Sequence, residues 1–149
     1  MEQKFVSNIK LLRKEFNVSQ PQLAKETGLA NSEISYWENG ERTPNARVII
    51  ILSRYFQVTT DYLLKVNEDN TSVYRSDDYC ADMTLLNKRL KDLRIKNKLS
   101  QSELAKNVNI SQPAINYWEL GKRTPNANAV ITLANYFGVT TDYLLGESD

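Results

Sequence analysis

Apolar residues recur at three- and four-residue spacing near the start of the chain, at Phe5, Ile9, Leu12 and Phe16, and again far downstream at Leu86, Leu90 and Leu93. That period predicts an amphipathic helix in each place. Each run leads into a Ser-Gln-x-Gln/Glu tetrapeptide, Ser19-Gln20-Pro21-Gln22 or Ser100-Gln101-Ser102-Glu103. A serine with Gln or Glu three residues on is a capping box, so a second helix starts at each serine. Pro21 fits there because first-turn amides lack an intrahelical partner. Leu23-Ala24 and Leu104-Ala105 supply the buried face of this helix, and Gly28 and Asn109 can take the left-handed conformation that ends it. A third helix is predicted over Asn31 to Asn39 and over Gln112 to Leu120, with Ile34 and Trp37, or Ile115 and Trp118, on the inner side. Two helices joined by so tight a turn form a helix-turn-helix. Gly40 and Gly121 close the third helix and Pro44 and Pro125 prevent its extension. A fourth helix carries Ile49, Leu52 and Phe56, or Val130, Leu133 and Phe137, and a short fifth follows Thr59 and Thr140. The fold class expected is all-α, with five helices per unit and mostly local contacts, which suits a domain of about 60 residues.

The pattern occurs twice because the unit is duplicated. Tyr36-Trp37-Glu38 returns as Tyr117-Trp118-Glu119, Arg42 to Ala46 as Arg123 to Ala127, and Val58 to Leu64 as Val139 to Leu145, always 81 residues apart. About half of the aligned positions are identical, and the register holds without a gap from Phe5/Leu86 to Leu64/Leu145. The chain therefore divides into repeat one over 1–65, a linker over 66–84, and repeat two over 85–149. The linker is polar and acidic and lacks sustained periodicity. Its Tyr74, Tyr79, Cys80 and Met83 are expected to pack loosely on a neighbouring domain.

Composition then narrows the function. The 149 residues include no histidine and one cysteine, which excludes an internal disulfide, a multi-thiolate metal site and any Ser-His or Cys-His nucleophile. No catalytic residue, metal site or cofactor is expected. The apolar runs, such as Val48 to Leu52, are far too short for a membrane span, and no signal-peptide core opens the chain, so a cytoplasmic location is expected. Net charge is +1 overall but unevenly spread. Phe5 to Leu64 holds seven Lys/Arg against six Asp/Glu, whereas Leu86 to Leu145 holds nine against four. Repeat two is the basic one.

Ser-Gln-x-x-Leu-Ala-Lys, Ile-x-x-Trp-Glu-x-Gly-x-Arg-x-Pro-Asn and Phe-x-Val-Thr-Thr-Asp-Tyr-Leu-Leu, in that order, resemble the Cro/lambda-repressor-like (XRE) helix-turn-helix family over nearly all of both repeats. The resemblance implies two tandem lambda-repressor-like DNA-binding domains joined by the acidic linker. It implies double-stranded operator DNA as the partner, read by a third helix laid in the major groove, usually by symmetric dimers.

On that resemblance the base-reading positions are Asn31, Ser32 and Tyr36 in repeat one and Gln112, Pro113 and Tyr117 in repeat two. A carboxamide can pair with the N6 and N7 edge of adenine, which singles out Gln112 and Asn31. Asn116 is placed for the same contact one turn on, and its counterpart Ser35 discriminates less. Pro113 offers only a methyl contact. Ser111 begins the face, at 111–114, where repeat two differs from 30–33 of repeat one. Gln20 and Gln101 stand at a helix N-terminus, where free amides and the dipole favour a phosphate, and Arg42 and Arg123 follow the Gly turn as backbone clamps. Lys122 replaces Glu41 and Ala114 replaces Glu33, so repeat two is expected to bind more tightly. Arg13 with Glu38, and Arg94 with Glu119, match a partly buried pair of the family that orients the first and third helices. Trp37 and Trp118 are expected in the core.

The function expected is sequence-specific operator binding, as a repressor or regulator of prokaryotic or phage type. The chain ends four residues beyond the fifth helix, so no inducer-binding or peptidase module is expected. Two alternatives stand beside that reading. Repeat one, with its Glu33, Glu41 and the apolar Val48, Ile50 and Ile51, is a dimerisation or protein-interaction module using its fourth and fifth helices. Or the chain is an antitoxin-like autoregulator.

Overall fold

Residues 5–68 and 82–148 are described in the computed structural model, and its contacts divide the chain into two units, Met1–Ala81 and Asp82–Asp149. Most of the segment read as linker, 69–81 with Tyr74, Tyr79 and Cys80, lies outside the described residues. The first unit runs α1 (Ile9–Glu15), α2 (Gln20–Thr27), α3 (Asn31–Asn39), α4 (Ala46–Phe56) and α5 (Thr60–Leu63). The second repeats the order as α6 (Thr84–Lys96), α7 (Gln101–Val108), α8 (Gln112–Leu120), α9 (Ala127–Phe137) and α10 (Thr141–Leu144). No strand occurs among the described residues, and none of their helices is long and apolar enough to cross a membrane.

Side-chain caps set most of the helix starts. Ser19, Asn45 and Thr59 in the first unit, and Ser100, Ser111, Asn126 and Thr140 in the second, each accept a bond from a first-turn amide. Such a bond satisfies a donor that the helix itself cannot. The two capping boxes differ. Ser100 and Glu103 bond reciprocally, at 3.0 and 3.1 Å. Ser19 accepts from the Gln22 amide, but the Gln22 carboxamide donates to Glu26 instead of reaching back. Gly40 and Gly121, with φ of 76° and 75°, sit where a side chain would be strained and turn the chain back across the end of α3 or α8.

The first helix is shorter than its apolar spacing predicts, because Phe5 precedes it and α1 begins only at Ile9. Asn8 explains the late start. Its backbone N–H donates to Leu63 O at 2.8 Å and its buried side chain to Tyr62 O at 2.7 Å, tying the entry of α1 to the end of α5. In the second unit Arg89 occupies that position inside α6 and reaches the matching carbonyl with its side chain, donating to Tyr143 O and stacking its guanidinium 4.3 Å from the Tyr143 ring. There the helix starts earlier, at Thr84, whose N–H and hydroxyl both donate to Asp82.

Ile9, Leu12, Leu23, Ile34, Ile49, Leu52, Phe56 and Leu63 form the first core, and Leu86, Leu90, Leu104, Ile115, Val130, Leu133 and Leu144 the second, all at 2 % exposure or less. Trp37 and Trp118 are buried with them, as expected. The apolar patch expected on the fourth helix of repeat one is corrected. Val48, Ile50 and Ile51 are 8, 1 and 7 % exposed, so they offer no open surface to a second copy. α4 is apolar around most of its circumference, with eight of eleven residues buried against four in α9, and a helix apolar all round is a buried helix.

One strut between the second and fourth helices has the same tyrosine in both units and a different partner. Asn107 donates to the Tyr136 hydroxyl at 2.9 Å, whereas the Tyr55 hydroxyl donates to Glu26. That bond, helped by the Gln22 amide, holds the Glu26 carboxyl below the usual carboxylate range. A lowered pKa favours the folded state above the unfolded-state value, and the benefit is lost as pH falls through the folded value. Tyr55→Phe is therefore expected to raise the Glu26 pKa, read by NMR titration of its side-chain carboxyl carbon. An unchanged titration would rule the strut out. In the core, Leu104→Ala is expected to cost about 2–5 kcal/mol in denaturant unfolding, against about 1 kcal/mol for loss of the Ser100 cap.

Candidate functional site

In each unit a helix, a tight turn and a second helix stand at one side of the core, and the second of these helices keeps one face outside it. Ile34 and Trp37 turn α3 inward while Asn31 and Ser32 are exposed and Ser35 and Tyr36 half-buried. In α8 Ile115 and Trp118 point inward, Pro113 is exposed, and Gln112, Asn116 and Tyr117 are half-buried. The orientation of this helix is set from below by an ion pair. Arg13 donates from Nε to Glu38 Oε2 at 2.7 Å and from Nη2 to Oε1 at 2.9 Å, and its Nη1 donates to Val18 O at 3.0 Å. Arg94 repeats this with Glu119, at 2.7 and 2.9 Å, and with Leu99 O at 2.8 Å. The two carboxylates are only 2 and 3 % exposed. Hydrogen bonding to those carboxylates raises the pKa of Arg13 and Arg94, outweighing burial, which acts the other way. Both guanidinium groups therefore stay charged, and α3 and α8 are each anchored to the helix that opens the unit.

A carboxamide extends the anchor outward. Gln20 Nε2 donates to Glu38 Oε1, and Gln101 Nε2 to Glu119 Oε1, both at 3.3 Å. These two glutamines, expected at a phosphate, have their side chains directed to the buried carboxylate. In the second unit the chain of bonds continues. Gln101 Oε1 accepts from Gln112 Nε2 at 2.8 Å, and Gln101 Nε2 lies 3.3 Å from Asn116 Oδ1. Gln112 thus uses one N–H on Gln101, and its Oε1 and second N–H make no side-chain bond among the described residues. Repeat one lacks this extension. Asn31 has a shorter side chain with no bond to Gln20, and Ser35 stands in place of Asn116.

The C-terminal flank of α3 and α8 carries the second contrast. The turn at Gly40 is closed by Glu41 N–H to Tyr36 O at 2.9 Å, that at Gly121 by Lys122 N–H to Tyr117 O at 2.9 Å. Each returns the next arginine over the preceding tyrosine. Arg42 lies 4.3 Å from the Tyr36 ring centroid and Arg123 4.7 Å from that of Tyr117, a cation–π arrangement. Arg42 also pairs through Nη1 with Glu33 Oε1 at 2.5 Å. In the second unit Ala114 stands at the Glu33 position, and Arg123 has no carboxylate partner among the described residues. Lys122 is exposed beside it. Ser111 is exposed but its hydroxyl caps α8 through the Ala114 amide at 3.3 Å.

The ion pairs implied by the resemblance and the bounds expected for α3 and α8 are present, whereas the Gln101–Gln112 bond, the arginine–tyrosine stacks and the Glu33–Arg42 pair were not anticipated. The stacks left a signal, a Tyr and an Arg six residues apart around the Gly turn in both repeats.

A helix-turn-helix family model matches the chain twice, over residues 9–63 and 90–144. Among curated proteins, Repressor protein C2 of Salmonella phage P22 is 38 % identical over 65 residues, 44 % of this chain and 30 % of the relative. The HTH-type transcriptional regulator ImmR of Bacillus subtilis is 38 % identical over 64 residues, 43 % of this chain and 50 % of the relative. The HTH-type transcriptional activator BcrR of Enterococcus faecalis is 39 % identical over 59 residues, 40 % of this chain and 29 % of the relative. The matched region spans about half or less of these three proteins.

Removing one partner of a buried pair strands the other charge. Arg94→Ala is expected to lose about 3 kcal/mol of stability, because the Glu119 carboxylate is left in place without its cation. In a double-mutant cycle with Glu119→Ala, measured by denaturant unfolding, the two losses should fall well short of adding. Simple additivity would show the pair to be uncoupled.

Proposed function

The chain belongs to the helix-turn-helix family, and from that premise we propose that it is a sequence-specific double-stranded DNA-binding regulator of transcription. Each repeat lays its reading helix, α3 or α8, in the major groove of an operator half-site. The observation that carries this reading is the polar order of α8. A carboxamide at its first residue is held through Gln101 to a buried ion pair, with Asn116 one turn on and the cations of Lys122 and Arg123 at the flank. A held carboxamide suits the paired N6 donor and N7 acceptor of adenine, while flanking cations suit phosphates and fix register rather than sequence. In this reading Gln112, Asn116 and Asn31 contact base edges. Ser32, Ser35, Pro113, Tyr36 and Tyr117 line the groove beside them, and Ser111, Gln20, Gln101, Lys122, Arg42 and Arg123 lie toward the backbone. The chain acts in the cytoplasm without enzymatic chemistry, and as a repressor it acts by occupying the operator.

The pairing of Arg42 with Glu33, and the second acid at Glu41, favour a second reading in which repeat two binds DNA and repeat one serves self-association through α4 and α5, as in an autoregulator. With Val48, Ile50 and Ile51 buried, such an interface would have to use other residues of those helices.

Binding of the full chain to duplexes selected from a random pool tests the proposal. Gln112→Ala is expected to cost about 1–3 kcal/mol and to relax preference at one base position, whereas Arg123→Ala should weaken all sequences alike and lower the salt slope by about one. Failure of the wild-type chain to bind any duplex at low salt would overturn the proposal. Binding unaffected by Asn31→Ala and Arg42→Ala, together with a dimer in sedimentation, would favour the second reading.

A further inference from the structure

The two reading helices differ most in chemistry at one aligned position, Glu33 against Ala114, and the structure gives the acid a setting that a stray surface charge would lack. Glu33 lies in the first turn of α3, half-buried beside the exposed Asn31 and Ser32. Its Oε1 accepts from Arg42 at 2.5 Å, and Arg42 is itself held against the Tyr36 ring at 4.3 Å. Its Oε2 makes no hydrogen bond among the described residues. One oxygen is thus fixed, the charge is matched by an adjacent cation, and one acceptor is left over.

We propose that Glu33 is a specificity-determining residue of repeat one, accepting a hydrogen bond from the exocyclic N4 amine of a cytosine in the major groove. The inference rests on the DNA-binding reading given above. An ionised carboxylate has acceptors only. The donors on major-groove edges are N4 of cytosine and N6 of adenine, and adenine sets the acceptor N7 beside its amine. That juxtaposition suits a carboxamide and repels a carboxylate, whereas cytosine presents its amine with no acceptor of its own. Arg42 makes the acid tolerable near phosphates. Its guanidinium has five N–H donors, of which Glu33 takes one, so it can neutralise the carboxylate and still reach the backbone. In repeat two Ala114 can offer only an apolar contact, which suits a thymine methyl. The two half-sites therefore differ at the position facing this residue, cytosine for repeat one and thymine for repeat two.

Selection of duplexes from a random pool by the full chain, with wild type, Glu33→Ala and Glu33→Gln in parallel, tests this. Wild type should enrich a site with a fixed cytosine in one half. Both variants should lose that preference by roughly fivefold or more, Glu33→Gln should turn it toward adenine, and the other half-site should stay the same. Matching thermal transitions for the three proteins would show that the surface change left the fold intact. If both variants enrich the wild-type sequences and merely bind tighter, Glu33 is only a repulsive charge and the inference fails while DNA reading stands. If the wild type enriches no sequence, the DNA-binding reading fails and takes the inference with it.

Discussion

Everything on the outer face of each unit depends on a carboxylate that water scarcely reaches. Glu38 and Glu119 are held bidentately by Arg13 and Arg94 beneath the reading helix, and the same guanidinium closes the turn after the first helix through Val18 O or Leu99 O. A buried pair adds little net stability against an apolar replacement, yet it is costly to break on one side. Its value lies in geometry. An apolar contact has no preferred direction, while two parallel N–H···O bonds add geometric specificity to the placement of α3 and α8. The glutamine that bonds the outer edge of the carboxylate inherits that orientation, and in the second unit passes it to Gln112.

The duplication separates what the fold needs from what differs between the units. The ion pair, the tryptophan, the Gly turn and the Thr-Thr-Asp-Tyr-Leu-Leu ending are shared, as is the stacking of an arginine on a tyrosine. Core replacements such as Ile9 by Leu90 and Ile49 by Val130 keep apolar character, while other differences alter surface chemistry. Asn31 and Ser35 break the carboxamide chain that Gln112 and Asn116 complete, and Glu33 forms with its arginine an ion pair that Ala114 cannot make. Even struts vary in chemistry while keeping position, as Tyr55 with Glu26 and Tyr136 with Asn107 show.

Most of the architecture was legible in the sequence because it follows from local rules. Capping serines and threonines, left-handed glycines and a 3.6-residue period specify helices without reference to distant residues. The departures arise where a distant group competes. Phe5 matches the helical period, but Asn8 spends its backbone and side chain on the end of α5, fifty-four residues on. Gln22 has the capping-box spacing, but Glu26 one turn away takes its amide. The apolar run of α4 reads equally as surface patch or as core, since period alone does not separate an exposed stripe from a helix buried all round. At the site, spacing gave the bounds of α3 and α8, and the family resemblance implied the ion pairs. The Gln101–Gln112 bond and the Glu33–Arg42 pair depend on how two side chains meet across a turn, which no period encodes.

Two unlike readers on one chain change what a cognate site would have to look like. A symmetric dimer with one reader per chain fits a palindrome, because its half-sites are read by identical helices. Here the identical helices are replaced by a carboxamide-rich α8 and an acidic α3, so on the proposed reading the matching duplex is asymmetric in sequence. On that reading the acids of repeat one would weaken its share of phosphate attraction, but a tether that can span the half-site separation would convert its binding into an intramolecular event, with an effective concentration that compensates for weak intrinsic affinity. The weaker reader can then sharpen selection at small cost to affinity. On the proposed reading the basic repeat supplies most of the hold on the duplex, and the nearly neutral one discriminates by what Glu33 and Asn31 accept or refuse.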